Sequence, residues 1–374
     1  MTAKPPKIYL IAGEASGDLH GANLAHELVR LLPQAMYRFW GGDLMSKELG
    51  TPVKHIKDLA FMGFVEVLLN LKTILGNISF CKKDIEAFNP DILVLIDYPG
   101  FNLRIAEWAK KKGIRVVYYI SPQIWAWKQK RVYKIRESVD VMLTILPFET
   151  DFYKKFDYPV EYVGHPLLDA IEKFKAQPKE DFRKKHSLSG KRILAVLPGS
   201  RKQEISKKLP VMLEAAKNFP DYQVVIAGAP AIDASYYNSF ISENCSIVFG
   251  ETYSLLDNAS LGIVTSGTAT LETALFRVPE VVCYIGNPLS YRIAKSLIKV
   301  NYISLVNLIM DEEVVKELIQ DDCNPEKITE ELKKLEQGTP GRKQLEEKYD
   351  QLIKSLGTGG ASKKAAEKIV AQLY

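Results

Sequence analysis

Short apolar runs rich in β-branched residues alternate with amphipathic helical stretches along most of this chain of 374 residues. In the first half such runs lie near residues 8–12, 36–40, 92–96, 115–119, 141–145 and 162–163. In the second half they lie near residues 193–197, 223–227, 246–249, 262–265 and 281–284. Strands that alternate with helices form parallel sheets joined by right-handed crossovers, and uniformly apolar runs are typical of strands covered on both faces. The alternation therefore predicts an α/β fold with parallel sheets.

The same arrangement occurs twice, which predicts two domains, as the length of the chain also does. Each half opens with a strand, a glycine-containing turn and a helix, at residues 8–18 and 193–205. We predict an N-terminal domain, a C-terminal domain and terminal helices that pack back on the first domain, at residues 1–170, 171–340 and 341–374. Doubly wound, Rossmann-like domains bind ligands at the carboxyl ends of their strands, so we expect the two domains to face an interdomain cleft.

Composition excludes several classes of protein. Hydrophobic residues make up 47% of the chain and charged residues 25%, which is ordinary for a soluble globular protein. The longest stretch without a charged residue, at 258–271, has 14 residues, whereas a membrane-spanning helix needs about 20 apolar ones. Four widely spaced cysteines without a C-x-x-C pair, and no secretory signal, indicate a cytoplasmic protein. A net charge of +5 suits an anionic surface or a phosphate ligand and does not by itself indicate nucleic acid.

The turn after the first apolar run contains two glycines, Gly13 and Gly17, and two acidic residues, Glu14 and Asp18. Glycines permit tight turning and a close backbone approach, and the start of the next helix attracts anions. The turn matches neither G-x-G-x-x-G nor a P-loop, and its acidic residues disfavour a tightly held phosphate. A strand-to-helix turn capped by Asp18 is the alternative interpretation.

Two turns in the second half could receive a phosphate. Gly199 and Ser200 would bring backbone N–H groups to a ligand, and Arg201 could clamp a carboxylate or phosphate unless it is only a surface arginine. The second turn ends a strand in small residues and starts a helix, which favours a diphosphate. Its residues are Ser266, Gly267, Thr268, Ala269 and Thr270. Glu272, one turn into that helix, could accept hydrogen bonds from ribose hydroxyls or act as a capping partner instead.

Two acidic residues bracket the apolar run 92–96, Asp91 before it and Asp97 after it. Because ligands bind outside the carboxyl ends of parallel strands, Asp97 is placed to deprotonate an acceptor hydroxyl as a general base, unless it only begins a turn. The five histidines form no H-x-x-H pair, and the chain contains no D-x-D and no G-x-S-x-G sequence. We therefore expect no metal site and no serine nucleophile.

Two segments are suited to a membrane surface. Of residues 61–75 ten are apolar, among them Phe61, Met62, Phe64, Val67, Leu68 and Leu71. Such a segment is either a core helix or an interfacial one. The second segment combines indoles with basic residues, at Trp125, Trp127, Lys128 and Arg131. It could contact lipid headgroups, bind RNA by stacking and charge, or form a solvated helix face.

Seven segments, in order along nearly the whole chain, resemble the lipid-A-disaccharide synthase family, which are glycosyltransferases with two Rossmann-like domains (GT-B). They are A-G-E-A-S-G-D at 12–18, M-G-F-V-E-V at 62–67, S-P-Q-I-W-A-W at 121–127, L-P-F-E at 146–149, V-G-H-P at 163–166, L-P-G-S-R at 197–201 and S-G-T-A-T-L-E at 266–272. The chain departs from the family at Asp43, where a G-G-P-x-M sequence usually has proline, and at Gly100, where many members have aspartate. The second departure leaves Asp97 as the acid of its loop.

The resemblance implies a reaction in lipid A (lipopolysaccharide) biosynthesis. UDP-2,3-diacylglucosamine would give its sugar to the 6-hydroxyl of 2,3-diacylglucosamine 1-phosphate (lipid X), yielding UDP and a β-1,6 disaccharide 1-phosphate. An α-linked donor and a β product imply inversion, which needs a base on the acceptor and stabilisation of the leaving diphosphate. The resemblance assigns these roles to Asp97 as base and Glu14 as its neighbour or replacement. It places residues 199–201 and 266–270 at UDP, Glu272 at the ribose, and Asn307 as a further polar position at UDP. It implies no cofactor and no metal.

Because both substrates carry acyl chains, the resemblance implies a peripheral enzyme on the cytoplasmic face of the inner membrane of a Gram-negative cell. Residues 61–75 would meet lipid, and residues 125–136 would meet anionic headgroups or the acceptor 1-phosphate. A homodimer without nucleic acid is expected. A soluble UDP-sugar 2-epimerase, or a transferase with a water-soluble acceptor, is an alternative that leaves the apolar residues 61–75 without a purpose. A non-catalytic RNA- or nucleotide-binding protein is another, which would show steeply salt-dependent RNA affinity.

Overall fold

The computed structural model describes residues 4–59, 71–178, 180–241, 245–288, 291–292, 295 and 299–374. Its strands are β1 (Lys7–Ala12), β2 (Met36–Gly41), β3 (Lys54–His55), β4 (Ile92–Ile96), β5 (Arg115–Tyr119), β6 (Val141–Thr144), β7 (Glu161–Tyr162), β8 (Arg192–Leu197), β9 (Tyr222–Gly228), β10 (Cys245–Phe249), β11 (Ala259–Thr265), β12 (Glu280–Tyr284) and β13 (Lys316–Ile319). Its α-helices are α1 (Ala15–Leu31), α2 (Asp43–Leu49), α3 (Leu71–Phe88), α4 (Pro99–Lys111), α5 (Ile124–Trp127), α6 (Arg131–Ser138), α7 (Phe148–Lys154), α8 (Pro166–Lys175), α9 (Phe182–Lys185), α10 (Lys202–Ala216), α11 (Thr252–Asn258), α12 (Thr268–Leu275), α13 (Leu305–Met310), α14 (Pro325–Lys333), α15 (Pro340–Leu356) and α16 (Ala361–Val370). Short 3-10 helices lie at Ile56–Asp58, Ala234–Ser239 and Gln320–Asp322.

The first structural unit, Met1–Asp169 with Thr358–Tyr374, is built on a seven-stranded parallel sheet. The strand order is β3-β2-β1-β4-β5-β6-β7, so the direction of winding reverses between β1 and β4. Every side chain of β4 is fully buried, because helices cover both faces of a doubly wound sheet. The parallel α/β fold predicted from the apolar runs is confirmed. Sheets of this kind bind ligands outside the carboxyl ends of the strands that flank the reversal, which here are β1 and β4.

Asp18 caps a different helix from the one expected of it. The residue at the N-cap of α1 is Glu14, and Asp18 lies inside α1 with its carboxylate 2.6 Å from the Gly42 amide, 3.0 Å from the Leu44 amide and 3.1 Å from the Met45 amide. These amides belong to the first turn of α2, where Gly42 has no side chain to serve as a cap. The carboxylate of α1 therefore replaces the missing cap of α2 and joins the two helices.

The second unit, Ala170–Gly357, contains a six-stranded parallel sheet in the order β10-β9-β8-β11-β12-β13. The winding reverses between β8 and β11, whose carboxyl ends are neighbours because Leu197 pairs with Val264. Two edge strands, β3 and β13, were not predicted from the sequence. Each is short and carries lysine, so neither shows the apolar run that marks the central strands.

The C-terminal helices belong to different units, whereas the sequence analysis treated residues 341–374 as one segment packing on the first domain. Helix α15 lies in the second unit, where the Tyr349 hydroxyl donates to the Val278 carbonyl. Helix α16 lies in the first unit, and Asp169 caps its start by accepting from the amides of Gly360 and Ser362. The difference arises because the apolar face of α16 fits the core of the first unit while that of α15 fits the second.

In the part of the chain that the structure describes, no helix combines the length and the apolar character needed to cross a membrane.

Candidate functional site at the sheet edges

Gly13 and Asp97 follow neighbouring strands of the first sheet. Ala12 and Ile96, the last residues of β1 and β4, are paired, so the two turns begin side by side at the reversal of winding. Glu14 comes next after Gly13 and is exposed at the start of α1. The two acidic residues predicted at this edge are therefore brought together, each by the turn that ends its strand.

The Asp97 turn has an uncommon backbone. Asp97 and Tyr98 both adopt the left-handed region, with φ of 47° and 51°. Two donors hold the Asp97 carbonyl, the Tyr118 hydroxyl at 2.5 Å and the Asn102 side-chain amide at 2.8 Å. Left-handed non-glycine residues persist only where surrounding contacts enforce them, and they concentrate at functional sites. Sequence reasoning did not identify Tyr118 and Asn102, which act by hydrogen bonding to the backbone of this turn.

The Asp97 carboxyl resists ionisation. Its pKa is raised to about 6, mainly by burial and further by the negative charge of Glu14, against a smaller opposing effect of the Tyr98 amide. A carboxyl group with a pKa near the working pH is suited to accept a proton in a transition state, since it is ionised at neutral pH and still basic. The edge of the first sheet can therefore supply a general base.

Gly13 is required by the ring of Tyr98. A Cβ atom at position 13 would lie 2.2–2.4 Å from three ring atoms of Tyr98, closer than any real contact. Tyr98 in turn stacks on Phe101, with ring centroids 5.6 Å apart. The two turns of the acidic edge are thus packed directly on each other, and the packing determines where Asp97 sits.

At the edge of the second sheet, the turn between β8 and α10 leaves a helix start open. Gly199 has φ of +112°, which favours glycine, and Arg201 occupies the N-cap of α10 without a side-chain capping bond. The Arg201 side chain is largely exposed, with its guanidinium 3.9 Å from the Glu204 carboxylate. Gly199, Ser200 and Arg201 therefore present amides and a cation at one place, which suits an anion.

Two hydroxyl groups of the turn between β11 and α12 donate to backbone carbonyls of the chain. Ser266 donates to the Ile303 carbonyl at 2.9 Å, and Thr270 donates to the Gly267 carbonyl at 2.8 Å. Gly267, at the N-cap with φ of +143°, provides no capping side chain, and Thr268 is exposed. Ala269 packs against the core. The groups of this turn that can receive an anion are the amides at the start of α12 and the Thr268 hydroxyl.

Glu272 lies one turn into α12 and accepts from the Tyr253 hydroxyl at 3.2 Å. Burial raises the pKa of Glu272. The Tyr253 ring packs on Phe174 and Phe276, which fixes the hydroxyl that Glu272 meets. Glu272 is thus a partly buried acceptor behind the open helix start.

Asn307 does not face a ligand. Its carbonyl oxygen accepts from the amides of Val314 and Val315, and its amide nitrogen donates to the Val315 carbonyl and to Glu317. All four hydrogen-bonding positions of the side chain are used within the chain, so the expected contact with UDP is corrected to a structural role. Glu317, which the sequence analysis missed, also accepts from the amides of Ile303 and Ser304. This network supports the segment to which Ser266 donates.

The indole–basic segment divides into a buried and an exposed part. Trp125 is 5% exposed, packs edge-on against Phe148 and lies 3.3 Å from Glu149, so its expected contact with membrane or acceptor is wrong. Trp127 is 46% exposed, with the Lys128 ammonium 3.9 Å from the centre of its ring. Arg131, at the start of α6, is also exposed. The alternation reflects a short helix that turns one indole inward and the next outward.

The other membrane residues lie mostly beyond the described structure. Phe61, Met62, Phe64, Val67 and Leu68 fall outside the described residues, and α3 begins at Leu71. Further along α3, Leu75 and Phe80 are exposed, Leu75 by 58%. Across the described ranges, no group of three or more His, Cys, Asp or Glu side chains is arranged to hold a metal ion.

A buried lysine also lies at the edge of the second sheet. Lys208 of α10 donates to the Thr265 hydroxyl at the end of β11. Lys208 is not among the predicted site residues, although the apolar residues Ile205, Leu209 and Met212 place position 208 on the buried face of an amphipathic helix. A lysine on an apolar stripe is the signal that would have identified it.

Comparison with known proteins extends over nearly the whole chain. Residues 8–372 match the family described as Lipid-A-disaccharide synthetase. The protein named lipid-A-disaccharide synthase from Syntrophus aciditrophicus is 40% identical over 369 residues, covering 96% of this chain and 96% of that protein. The protein of the same name from Nitrosococcus oceani is 39% identical over 380 residues, covering 100% and 98%.

Solved structures share the fold at low sequence identity. UDP-GlcNAc 2-epimerase from Neisseria meningitidis, in a crystal structure bound to UDP-GlcNAc, has a TM-score of 0.66 at 14% identity and covers 98% of this chain and 100% of that one. The glycotransferase of kitacinnamycin has a TM-score of 0.67 at 13% identity, covering 99% and 100%. Those structures establish only a common two-unit architecture, whereas the full-length sequence matches establish kinship. The chain belongs to the lipid-A-disaccharide synthase family.

Proposed function

We propose that this chain is an inverting glycosyltransferase of lipid A biosynthesis, which joins UDP-2,3-diacylglucosamine to 2,3-diacylglucosamine 1-phosphate. The products are the β-1,6 disaccharide 1-phosphate and UDP. The family match over residues 8–372 carries the proposal, because it includes the turns at both sheet edges. The epimerase and glycotransferase structures, at 13–14% identity, favour no other reaction.

We assign the role of general base to Asp97, which would take the proton of the acceptor 6-hydroxyl as that oxygen attacks. The assignment is supported by its position at the carboxyl edge and by a pKa of about 6, raised by burial and by Glu14. Glu14 is exposed and shapes the electrostatics of the base. Such a base contributes on the order of 10²–10⁴-fold to the rate.

We assign the leaving UDP to the second sheet edge. The amides at the starts of α10 and α12, together with Arg201, would stabilise the negative charge that develops on the diphosphate. Glu272, held by Tyr253, is the acceptor available for ribose hydroxyls. The amides are fixed before the reaction by the turns that contain them, which is the condition for electrostatic stabilisation without reorganisation.

We further propose that the enzyme works as a peripheral protein on the cytoplasmic face of the inner membrane. Exposed Leu75, Phe80 and Trp127 support this, since large apolar side chains beside basic residues suit a headgroup layer. The proposal of a homodimer depends on the family alone, because the helical tail α16 already packs against α1 within the chain. Sedimentation velocity of the purified protein measures the oligomeric state.

The reaction is tested with purified protein, both lipid substrates in mixed micelles, and simultaneous measurement of UDP and disaccharide 1-phosphate. We expect equal amounts of both products, with and without EDTA. Asp97→Asn should lower kcat by about 10²–10⁴-fold while leaving UDP affinity unchanged. Asp91→Asn is the matched control, because Asp91 lies at the opposite end of β4, where it accepts from the Lys7 amide.

Two results would contradict the proposal. If Asp97→Asn turned over substrate at the wild-type rate, Asp97 would not be the general base. A folded, UDP-binding protein that forms no disaccharide would remove the lipid acceptor, and epimerisation of UDP-GlcNAc by that protein would identify the soluble alternative instead.

A further inference from the structure

Lys208 is buried although the proposed reaction does not use it. Its side chain is 4% exposed, and lysine is almost never buried to this degree without a partner. The ammonium donates to the Thr265 hydroxyl and lies 3.9 Å from the Glu204 carboxylate. That second distance is too long for a hydrogen bond, and the Glu204 side chain remains 35% exposed. The positive charge of Lys208 is therefore only partly compensated within the chain.

The position of Lys208 connects the two candidate diphosphate turns. Thr265 is the last residue of β11 and immediately precedes the turn of Ser266. Glu204 lies against the other turn, since its carboxylate oxygen would be 2.5 Å from a Cβ atom at Gly199. One ammonium group thus contacts Thr265, which precedes the Ser266 turn, and faces Glu204, which lies against the Gly199 turn.

A buried cation with incomplete pairing is destabilising, and its replacement by an apolar side chain of similar volume is often neutral or stabilising. Its presence is expected where a ligand completes the charge balance. A nucleoside diphosphate received by the amides of α10 and α12 would bring negative charge to the same two turns.

We propose that Lys208 is a positioning residue for the nucleoside diphosphate. Acting through Thr265 and Glu204, it holds both turns in the geometry that receives the diphosphate, and it places positive charge beneath them. This inference rests on the proposed function, which assigns UDP to these turns.

Protonation provides one signature of this role. Burial lowers the pKa of Lys208, and a bound diphosphate favours the charged amine, so UDP binding at alkaline pH is accompanied by proton uptake. The titratable groups that face Lys208 are Glu204 on α10, Cys283 on β12 and Cys323 after the 3-10 helix Gln320–Asp322. We expect Lys208→Met to lose the proton uptake and Cys323→Ser to retain it.

The experiment is isothermal titration calorimetry of the full chain with UDP and with uridine, in buffers of different ionisation enthalpy. Lys208→Met should raise the Kd for UDP by about 10- to 100-fold and the Kd for uridine by less than about threefold. The matched control is Lys207→Met, which removes the same charge from an exposed position one residue away and should bind UDP as the wild type does. Thermal unfolding of Lys208→Met should occur at the wild-type temperature or above.

Wild-type UDP affinity in Lys208→Met would overturn the inference, and so would an equal loss of UDP and uridine affinity. Should Lys208→Met fail to fold, Thr265→Val provides the second variant, because it removes the hydroxyl acceptor and keeps the lysine. An unchanged preference of Thr265→Val for UDP over uridine would also overturn the inference. If the wild-type chain bound neither UDP nor uridine, the assignment of UDP to the second sheet edge would be wrong, and this inference would fail with it.

Discussion

Asp97 lies where we propose a general base, and ionisation of its buried carboxyl group destabilises the folded state. The pKa is raised to about 6 on folding, so the contribution of Asp97 to stability is fully present below its ordinary pKa and is lost as the pH rises through about 6. At neutral pH the ionised carboxylate is therefore a cost to the folded state. The Asp97→Asn chain should accordingly be at least as stable as the wild type at pH 7 while losing turnover, as expected of a residue kept for function.

The charge of Glu14 makes a testable contribution to this pKa. Glu14→Gln removes the negative charge beside Asp97, so Asp97 stays ionised to lower pH. The acidic limb of the pH profile of kcat/KM therefore shifts to lower pH. Burial, the larger cause, remains, and the limb stays above the ordinary aspartate value. The control is Glu107→Gln, since Glu107 is exposed on α4 and contributes nothing to the shift. An acidic limb at the same pH in both variants would contradict the coupling of Glu14 to Asp97.

At the scale of side chains, residue type alone did not distinguish residues that can bind a ligand from residues that stabilise the fold. Ser266, Thr270 and Asn307 have the chemistry of ligand-binding residues, yet their side chains hydrogen-bond within the chain. Only the partner of Ser266, Ile303, lies far along the chain, whereas Thr270 donates to Gly267 of its own turn. Glu317 is supplied to Asn307 by the edge strand β13.

Among elements, the packing of one turn on another determines the acidic edge. Gly13→Ala would force its Cβ into the Tyr98 ring and displace the turn that carries Asp97. We expect a loss of about 1–3 kcal/mol in the free energy of unfolding, measured by urea denaturation, together with reduced kcat.

Gly100→Ala is the matched control for this prediction. Position 100 lies in the first turn of α4, and a Cβ atom added there would have no other atom within 4 Å. Alanine should therefore leave stability unchanged or raise it by up to about 1 kcal/mol. Restoration of stability in Gly13→Ala by Tyr98→Ala would assign the loss to this ring contact. Equal stability of Gly13→Ala and the wild type would show that the two turns are not packed as described.

The caps and edges of elements were the least predictable from local sequence. Asp18 fits the pattern of an N-cap for its own helix, but the glycine at position 42 left α2 without a cap and the carboxylate serves there. Strands β3 and β13 pair with only one neighbour each and need no apolar run. Such features depend on which element lies opposite, so a local pattern cannot determine them.

For the whole molecule, the proposed attachment to a membrane assigns the contact to exposed side chains such as Trp127. Trp127→Ala should lower the partition coefficient for anionic vesicles, measured by sedimentation, by about 10- to 100-fold, because burying a large apolar side chain is worth about 1.5–3 kcal/mol and each 1.4 kcal/mol is tenfold. The free energy of unfolding should change by less than about 0.5 kcal/mol, as at other exposed positions.

Trp125→Ala provides the contrasting control. Its indole is buried against Phe148, so truncation should cost about 3–5 kcal/mol of stability whether or not vesicles are present. Unchanged vesicle binding by Trp127→Ala, measured in the same experiment, would exclude this surface from membrane contact.

Local sequence patterns were sufficient to predict the α/β class, the two parallel sheets and the turns that carry the candidate site residues. Those features follow from local patterns, since apolar runs of a few residues specify central strands and glycine-containing turns follow them at the carboxyl edge. The seven family segments determined kinship in the same way, because each is a contiguous stretch.

Which of those residues remain available to a ligand depends on packing between elements. That packing directed Trp125 into the core, engaged every hydrogen-bonding position of the Asn307 side chain with Val314, Val315 and Glu317, and placed α15 and α16 in different units. Burial and hydrogen-bond satisfaction are properties of groups that meet across long distances in the chain. A pattern of neighbouring residues does not show which distant groups meet. The raised pKa of Asp97 also depends on such contacts, since burial and the charge of Glu14 cause it.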